Sequence, residues 1–417
     1  MNDLKADIVI VGGGMAGFAA ALAAAGEGKS VIMAERQQML GGNATQSNVG
    51  TICGAYYRSV PGPAVFAGHS FGYNLINELA SVGICGEPIM HHNGLYVLHY
   101  QWSQFHSFLE EKLVRAGVVV LKNTEVLEVG RNGSKIEHII TTTNDTKTKI
   151  TGLAFVDCSG NAILSRLAKI DVISTGNYQA ASQVFRVTGI EGDNEFTVNM
   201  SLKRLISKLI AEKNFPESYR SISVVPGSLE NGAVDIKFTL PDIISDDAAL
   251  QQMLTEKSKN YVQVLFETIK NNTSIFRNAV IENIFPMPGI RTQQRSKGKY
   301  ILTGSDVLEC RKFDNYVALG TWPIEEWFND GGLSLEYFGE DSCYQIPAEC
   351  LTSGVIDNLF FAGKNISADD KAIASARVIG TCLQTGYAAG KMATCPAPDA
   401  MPEIIRQLQQ DLAVHHV

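Results

Sequence analysis

Gly12, Gly14 and Gly17 stand at G-x-G-x-x-G spacing, and an acid, Glu35, closes the second apolar run after them. That set binds the pyrophosphate and ribose of a dinucleotide. Gly12 permits the tight turn out of a strand. Gly14, lacking a Cβ, lets a pyrophosphate approach the backbone, and Gly17 lets the following helix pack on the sheet. The helix then opens at Met15 and Ala16, whose amides and dipole favour an anion. Glu35 is placed to accept hydrogen bonds from a ribose diol. The positioning elements are in order. DIVIV (7–11) is a β-branched run suited to a strand buried on both faces, FAAALAAAGEG is rich in the best helix former, and SVIMAE is a second strand. A lone glycine triplet says little; strand, glycines, helix, strand and acid in this order say much more.

Arg36 follows the acid, and then a second glycine segment, Gly41-Gly42-Asn43-Ala44-Thr45. A longer dinucleotide needs the chain to return beside it beyond the ribose, which a second glycine-rich approach allows. With these residues the sequence resembles FAD-dependent oxidoreductases of the glutathione-reductase-like superfamily. More narrowly, it resembles the bacterial FAD dependent oxidoreductase family, whose N-terminus reads GGGxAG…ER…LGG. The resemblance implies FAD as cofactor. It implies that Thr124-Glu125-Val126 offers a backbone group at Val126 to the adenine, though a plain strand is an alternative. It matches GLAFVDCSGNA to a D-x-[ST]-G-[DN]-A turn, with Asp157, Ser159 and Gly160 in place and Asn161 in the acidic-or-amide slot. It brings NLFFAG back to the cofactor at Gly363. It also aims the start of the helix after Arg377, with Val378 and Thr381, at the flavin N1–C2=O edge. A helix packed through small residues fits the same segment.

Catalytic candidates lie in two further segments. PGIRTQQRSKGKYILTGSDVL (288–308) resembles the family's G-[VI]-R-x-x-R-R-x-x-G pattern, with Gln294 where an arginine is usual. Arg291 can hold a substrate carboxylate bidentately or pair with a structural acid; Arg295 reads as structural. Where the family often has S-x-T-H-E-A, this chain has Ser367-Ala368-Asp369-Asp370-Lys371-Ala372. Asp370 and Lys371 stand in place of the usual histidine and glutamate. Either is a candidate base, or both belong to a solvated turn. These departures point to a specialised substrate, in secondary metabolism. His91, His92, Tyr96, His99 and Tyr100 form a polar, ring-rich stretch. Cys53 is open to redox or covalent-flavin roles, or is an inert buried thiol. No cysteine spacing suits zinc or an iron–sulfur cluster, and His415 and His416 on a chain end cannot fix a metal geometry, so no metal is expected.

The chain has 417 residues, 45% hydrophobic and 19% charged, which is ordinary globular composition. The net charge of -8 argues against a nucleic-acid partner, and hence against a flavin-bearing tRNA-modification protein. No apolar stretch reaches ~18 residues, so no membrane span is expected. The acidic N-terminus is unlike a signal peptide, and the expected location is cytoplasmic. The expected fold class is α/β: a Rossmann-like FAD-binding domain of parallel sheet, β-meander and helices, with an inserted α+β substrate domain. Residues 1–56, 101–175 and 341–395 form the first unit. Residues 57–100, with turn signals at Pro61-Gly62-Pro63, and 176–340 form the substrate and cap unit, and 396–417 a C-terminal helix and tail. No second G-x-G-x-x-G follows, which argues against a two-nucleotide disulfide reductase. The expected activity is oxidation of a small-molecule substrate by hydride transfer to flavin N5, with O2 or another acceptor taking the electrons. A monooxygenase using NAD(P)H and O2 is the other enzymatic reading, and a non-catalytic FAD-binding protein the reading from another class.

Overall fold

The computed structural model describes residues 2–59, 62–91, 93–176, 178–395 and 397–413. Pro61, His92, His415 and His416 lie outside them. The nucleotide unit is built on strand β1 (Asn2–Val11), helix α1 (Met15–Gly26) and strand β2 (Val31–Ala34). β1 and β2 pair in parallel, Ile8 against Val31 and Val11 against Ala34. The alternation of β1 sends Ile8 and Ile10 into one core with α1, and Val9 and Val11 into another. Helices α2 (Ser70–Ser81) and α3 (Trp102–Arg115) join the first core through Leu75, Leu79, Phe105 and Leu109. β3 (Val119–Leu121) extends the parallel sheet beyond β2. A meander of β4 (Thr124–Asn132), β5 (Lys135–Thr143) and β6 (Thr146–Asp157) supplies the second core, with Val126, Ile136, Ile139 and Ile150. β6 is long enough to serve twice: its first half pairs with β5, and it runs parallel to β1, Val11 facing Asp157.

The inserted unit is a separate antiparallel sheet. β7 (Ser182–Thr188) lies between β8 (Ala233–Thr239) and β9 (Val280–Ile284). Helices α4 (Glu195–Ala211) and α5 (Ala248–Asn272) cover one face, so Phe185, Val187, Val234, Ile236 and Phe238 meet Val198, Leu202, Val262 and Leu265. Asn194 caps α4 and Asp247 caps α5, each accepting backbone N–H bonds. The intervening positions put Arg186, Asp235 and Lys237 on the other face. That face meets the nucleotide unit: Asn48 donates to the Asp235 carboxylate at 2.9 Å, and Arg186 pairs with it at 2.9 Å.

A hairpin of β10 (Ile324–Trp327) and β11 (Leu333–Glu336) leads the chain back. β12 (Leu359–Phe361) then adds parallel to β6, and α6 (Asp370–Ala376), α7 (Ile379–Ala393) and α8 (Met401–Ala413) follow. α7 crosses α1 so closely that a methyl on Gly386 or Gly390 would collide with the backbone of Ala16 or Ala20. Packing cuts the chain differently from the sequence boundaries. The insert's own core runs from Ala181 to Ile290, whereas α2, Leu302 and Val317 belong to the core of the nucleotide unit. Those segments read as cap because their turn residues hid an amphipathic helix and short strands.

Candidate active site

Between the two units lies a cleft of about 200 Å³. Of the residues singled out in the sequence, Gly12, Gly14, Met15, Ala16, Glu35, Arg36, Gly41, Gly42, Asn43, Ala44, Ser159, Gly160 and Gly363 line it. Gly12 has φ +99°, and a Cβ there would sit 2.6 Å from the Cys158 carbonyl oxygen, so only glycine fits. A Cβ on Gly14 would meet nothing nearer than the Gly42 Cα at 4.0 Å; it would stand in open cleft. α1 begins at this point with no side-chain cap, leaving its first amides to a ligand. Gly41, at φ +100°, donates to the Gly13 carbonyl at 2.8 Å and holds the second glycine turn against the first.

The Glu35 carboxylate accepts from the amides of Gly13 at 2.5 Å and Gln37 at 2.7 Å. Both bonds fix its position at the cleft wall, while burial pushes its carboxyl upward. Opposite, the buried Asp157 carboxylate accepts from the amides of Ser159 at 3.0 Å and Leu164 at 2.8 Å, shaping the turn that presents Ser159 and Gly160. Lys364, next to Gly363, donates to the Ile290 carbonyl at 2.8 Å, and burial pulls its ammonium down to about 8. With Arg36 it gives the cleft two cations beside the helix start. A glycine cradle, uncapped amides, two cations and a fixed carboxylate suit the two phosphates and ribose of a dinucleotide.

Five expected contacts lie off the cleft wall. Gly17 packs on the Gly12 carbonyl. Thr45 donates to the Leu40 carbonyl and ties the second glycine turn. Val126 is buried in the meander core. At α7, Ile379 and Cys382 line the cleft. Val378 packs with Leu95, Val97 and Trp322, and the Thr381 hydroxyl is buried toward Gly54 without a hydrogen-bond partner. The helix start is where the sequence places it, turned by one position.

The base candidates lie away from the cleft wall. Asp370 pairs with the buried Arg295 at 2.7 Å and accepts from the Gly176 amide at 3.0 Å. Arg295 also donates to Ala368, Gln293 and Thr175. Asp370 therefore neutralises a structural arginine. Lys371 pairs with Glu336 at 2.7 Å on the surface, with 51% of its side chain exposed. Neither lines the cleft, and their departures from the family pattern say nothing of the substrate. Burial pushes the Cys53 and Cys382 thiols up to about 12, so both are protonated near neutral pH and poorly suited to thiolate chemistry. All eight cysteines are free.

Past Ile290 and Gln293, which line the cleft, four segments meet around Trp327 and Glu325. The Arg291 guanidinium lies 4.7 Å from the Trp327 ring centroid and donates to the Ala180 carbonyl. Lys237, from β8, lies 5.5 Å from the same ring. Arg377, at the cleft wall, donates to the Glu325 carbonyl at 3.1 Å and reaches its carboxylate at 3.4 Å. Trp322 donates to that carboxylate at 3.1 Å. Burial works against the Glu325 carboxylate, yet Arg377 and Arg291 hold it below its usual range. Burial, with Arg377 nearby, brings Arg291 down to about 9. Of these residues the sequence flagged only Arg291. Lys364 had a signal, a lysine directly after the strand-ending Gly363. So did Lys237, which with Asp235 forms an i, i+2 charged pair in an otherwise apolar strand.

The glycine-cradled parallel sheet and its cleft define a dinucleotide-binding α/β flavoenzyme. Residues 7–410 match the model of the family described as FAD dependent oxidoreductase. The chain belongs to that family: it is an FAD-dependent oxidoreductase, and its cofactor is FAD. No curated protein matches the sequence. Among solved structures it is similar to a geranylgeranyl bacteriochlorophyll reductase-like protein from Thermoplasma acidophilum, with 13% identity over 98% of this chain and 83% of the other, TM-score 0.47. CabE, an aromatic hydroxylase from angucycline biosynthesis, has 12% identity over 99% and 69%, TM-score 0.48. A flavoprotein/dehydrogenase from Cytophaga hutchinsonii has 13% identity over 99% and 82%, TM-score 0.44. Among the described residues no helix is long and apolar enough to cross a membrane, and no group of three or more His, Cys, Asp or Glu could hold a metal.

Proposed function

We propose that this protein oxidises a small organic molecule, within the glutathione-reductase-like superfamily and in the reducing cytoplasm that its eight free thiols suit. The observation that carries the reading is one continuous cleft. Gly12, Gly14 and Glu35 lie on its wall, and so do Arg377 and Ile379, beyond which the cation cluster begins. In this reading Glu35 accepts from the ribose, the α1 amides, Arg36 and Lys364 hold the diphosphate, and the start of α7 faces the flavin ring. When bound, FAD supplies a hydride acceptor at N5. The chain's part is to orient a substrate C–H bond and exclude water. O2 or another acceptor takes the electrons afterwards. The protonated thiols support a reaction without a protein disulfide.

The test is the visible spectrum of the purified protein, followed by anaerobic titration with candidate small molecules. The expected outcome is yellow protein that releases FAD on acid precipitation, is bleached by one substrate class and regains colour in air. Rapid bleaching by NAD(P)H, with no substrate able to reduce the flavin, would replace this reading with a monooxygenase. Bound FAD that neither donor bleaches would leave a non-catalytic carrier.

A further inference from the structure

Two cations, Lys237 from β8 and Arg291 from the 287–293 strap, lie over the Trp327 ring, and a third, Arg377 from the segment before α7, pairs with Glu325, whose carboxylate feels all three charges. Buried charge is costly unless paired, so a folded chain should not retain unmatched cations without a use for them. Two atoms make the imbalance concrete. The Arg377 Nε is buried and has no hydrogen-bond partner. Lys237, half-buried, makes no hydrogen bond or ion pair among the described residues; its ammonium lies over the Trp327 indole ring. Burial and the nearby guanidinium of Arg291 pull its ammonium below the ordinary range. Asp235, two residues away on the same strand face, cannot serve it, being taken by Arg186 and Asn48. Beside the cluster, Leu95, Val97, Trp322 and Val378 form a buried apolar group against which Cys53 and Tyr337 pack.

We propose that the partly exposed crevice around Trp327, next to Arg377 at the cleft wall, receives the carboxylate of a small carboxylic acid, held by Lys237, Arg291 and Arg377. The assignment rests on the substrate-oxidising reading above and narrows it to a substrate class. Guanidinium groups match a planar carboxylate through paired N–H donors, and Trp327 holds the Arg291 plane in place. Glu325 keeps Arg377 from collapsing onto the site when it is empty, and adds a repulsion that rejects a poorly aligned anion.

FAD-loaded protein is titrated with sodium benzoate, sodium acetate and inorganic phosphate, and with benzamide and acetamide, at constant ionic strength. Binding is followed by calorimetry and by the flavin absorbance. Benzoate is expected to bind at least about tenfold more tightly than benzamide, the scale of one charge-assisted hydrogen bond. Lys237→Met is expected to remove that preference at unchanged FAD content. It should also raise the melting temperature of the anion-free protein, because an unmatched cation is gone. Arg291→Lys, which keeps the charge but loses the fork, should weaken benzoate binding less than Arg291→Met. Equal binding of benzoate and benzamide, or no binding of either carboxylate, overturns the proposal. So does a lowered melting temperature in Lys237→Met, which would make Lys237 a structural partner. Phosphate binding in preference to both carboxylates overturns the ligand class. The two readings fail separately: protein that binds benzoate but whose flavin no substrate reduces keeps the site and loses the oxidation, and protein reduced only by neutral substrates does the reverse.

Discussion

Single side chains divide between those that line the cleft and those that match a motif slot away from it. Glu35 is held by two backbone amides and faces the cleft. Glu35→Gln keeps the shape but loses the charge. It is expected to weaken FAD roughly tenfold or more, at a cost of about 1.5–3 kcal/mol for a hydrogen bond to a charged group, read from the FAD affinity of apoprotein. Asp370 and Lys371 make the contrast. Lys371→Met removes an exposed pair and should leave turnover unchanged, with a stability change within about 0.5 kcal/mol. Asp370→Asn leaves the buried Arg295 short of its counter-charge. It should destabilise by about 1–3 kcal/mol in denaturant unfolding, discounted from the fully buried case because the carboxylate is partly exposed. Its pH–rate profile should match that of the unaltered protein. A lost acidic limb in Asp370→Asn would restore the catalytic role.

At the scale of elements, the crossing of α1 and α7 sets the cleft. A methyl at Gly386 meets the Ala16 backbone, and Ala16 lines the cofactor cleft. Gly386→Ala must push the helices apart. The expected cost is about 1–3 kcal/mol, with weaker FAD binding in the same variant. Gly26→Ala is the control, because a Cβ there meets nothing within 4 Å. It should be neutral or stabilising by up to about 1 kcal/mol. Thermal unfolding with and without FAD compares the two. This scale also explains what the sequence disclosed. The strand–glycine–helix order of residues 7–35 is local, and the structure puts β1, α1 and β2 there. The insert's strands and long helix are local too, and β7, β8 and α5 match them. The cation cluster is not local: Lys237, Glu325, Arg291 and Arg377 become neighbours only when the insert folds back on the nucleotide unit. Asp370 misled because its motif slot was readable while its partner, Arg295, was fixed only by tertiary packing.

Over the whole molecule, charge in the cleft links cofactor binding to pH. Lys364 has its ammonium depressed to about 8 by burial, from an unfolded value near 10.5. Between those values the unfolded chain binds more protons than the folded one, so this group adds stability to the apoprotein as pH rises from about 8. A bound diphosphate favours the charged ammonium and restores the proton. FAD binding near pH 9 should therefore take up a proton and weaken as pH climbs. Calorimetry in buffers of different ionisation heats measures the uptake, and Lys364→Met should abolish it.

β12 and α7 come from the last part of the chain, yet β12 lies beside β6 and α7 beside α1. On the ribosome, where synthesis runs at about 5–20 residues per second, the glycine cradle emerges well before its opposite wall, which lies more than 300 residues further along. Cofactor loading is thus expected to wait until β12 and α7 have been made. A nascent chain stalled before residue 359 would expose the apolar flank of β6 and carry no FAD. Scarce flavin would consequently lower the yield of finished molecules, leaving early folding of the N-terminal half untouched.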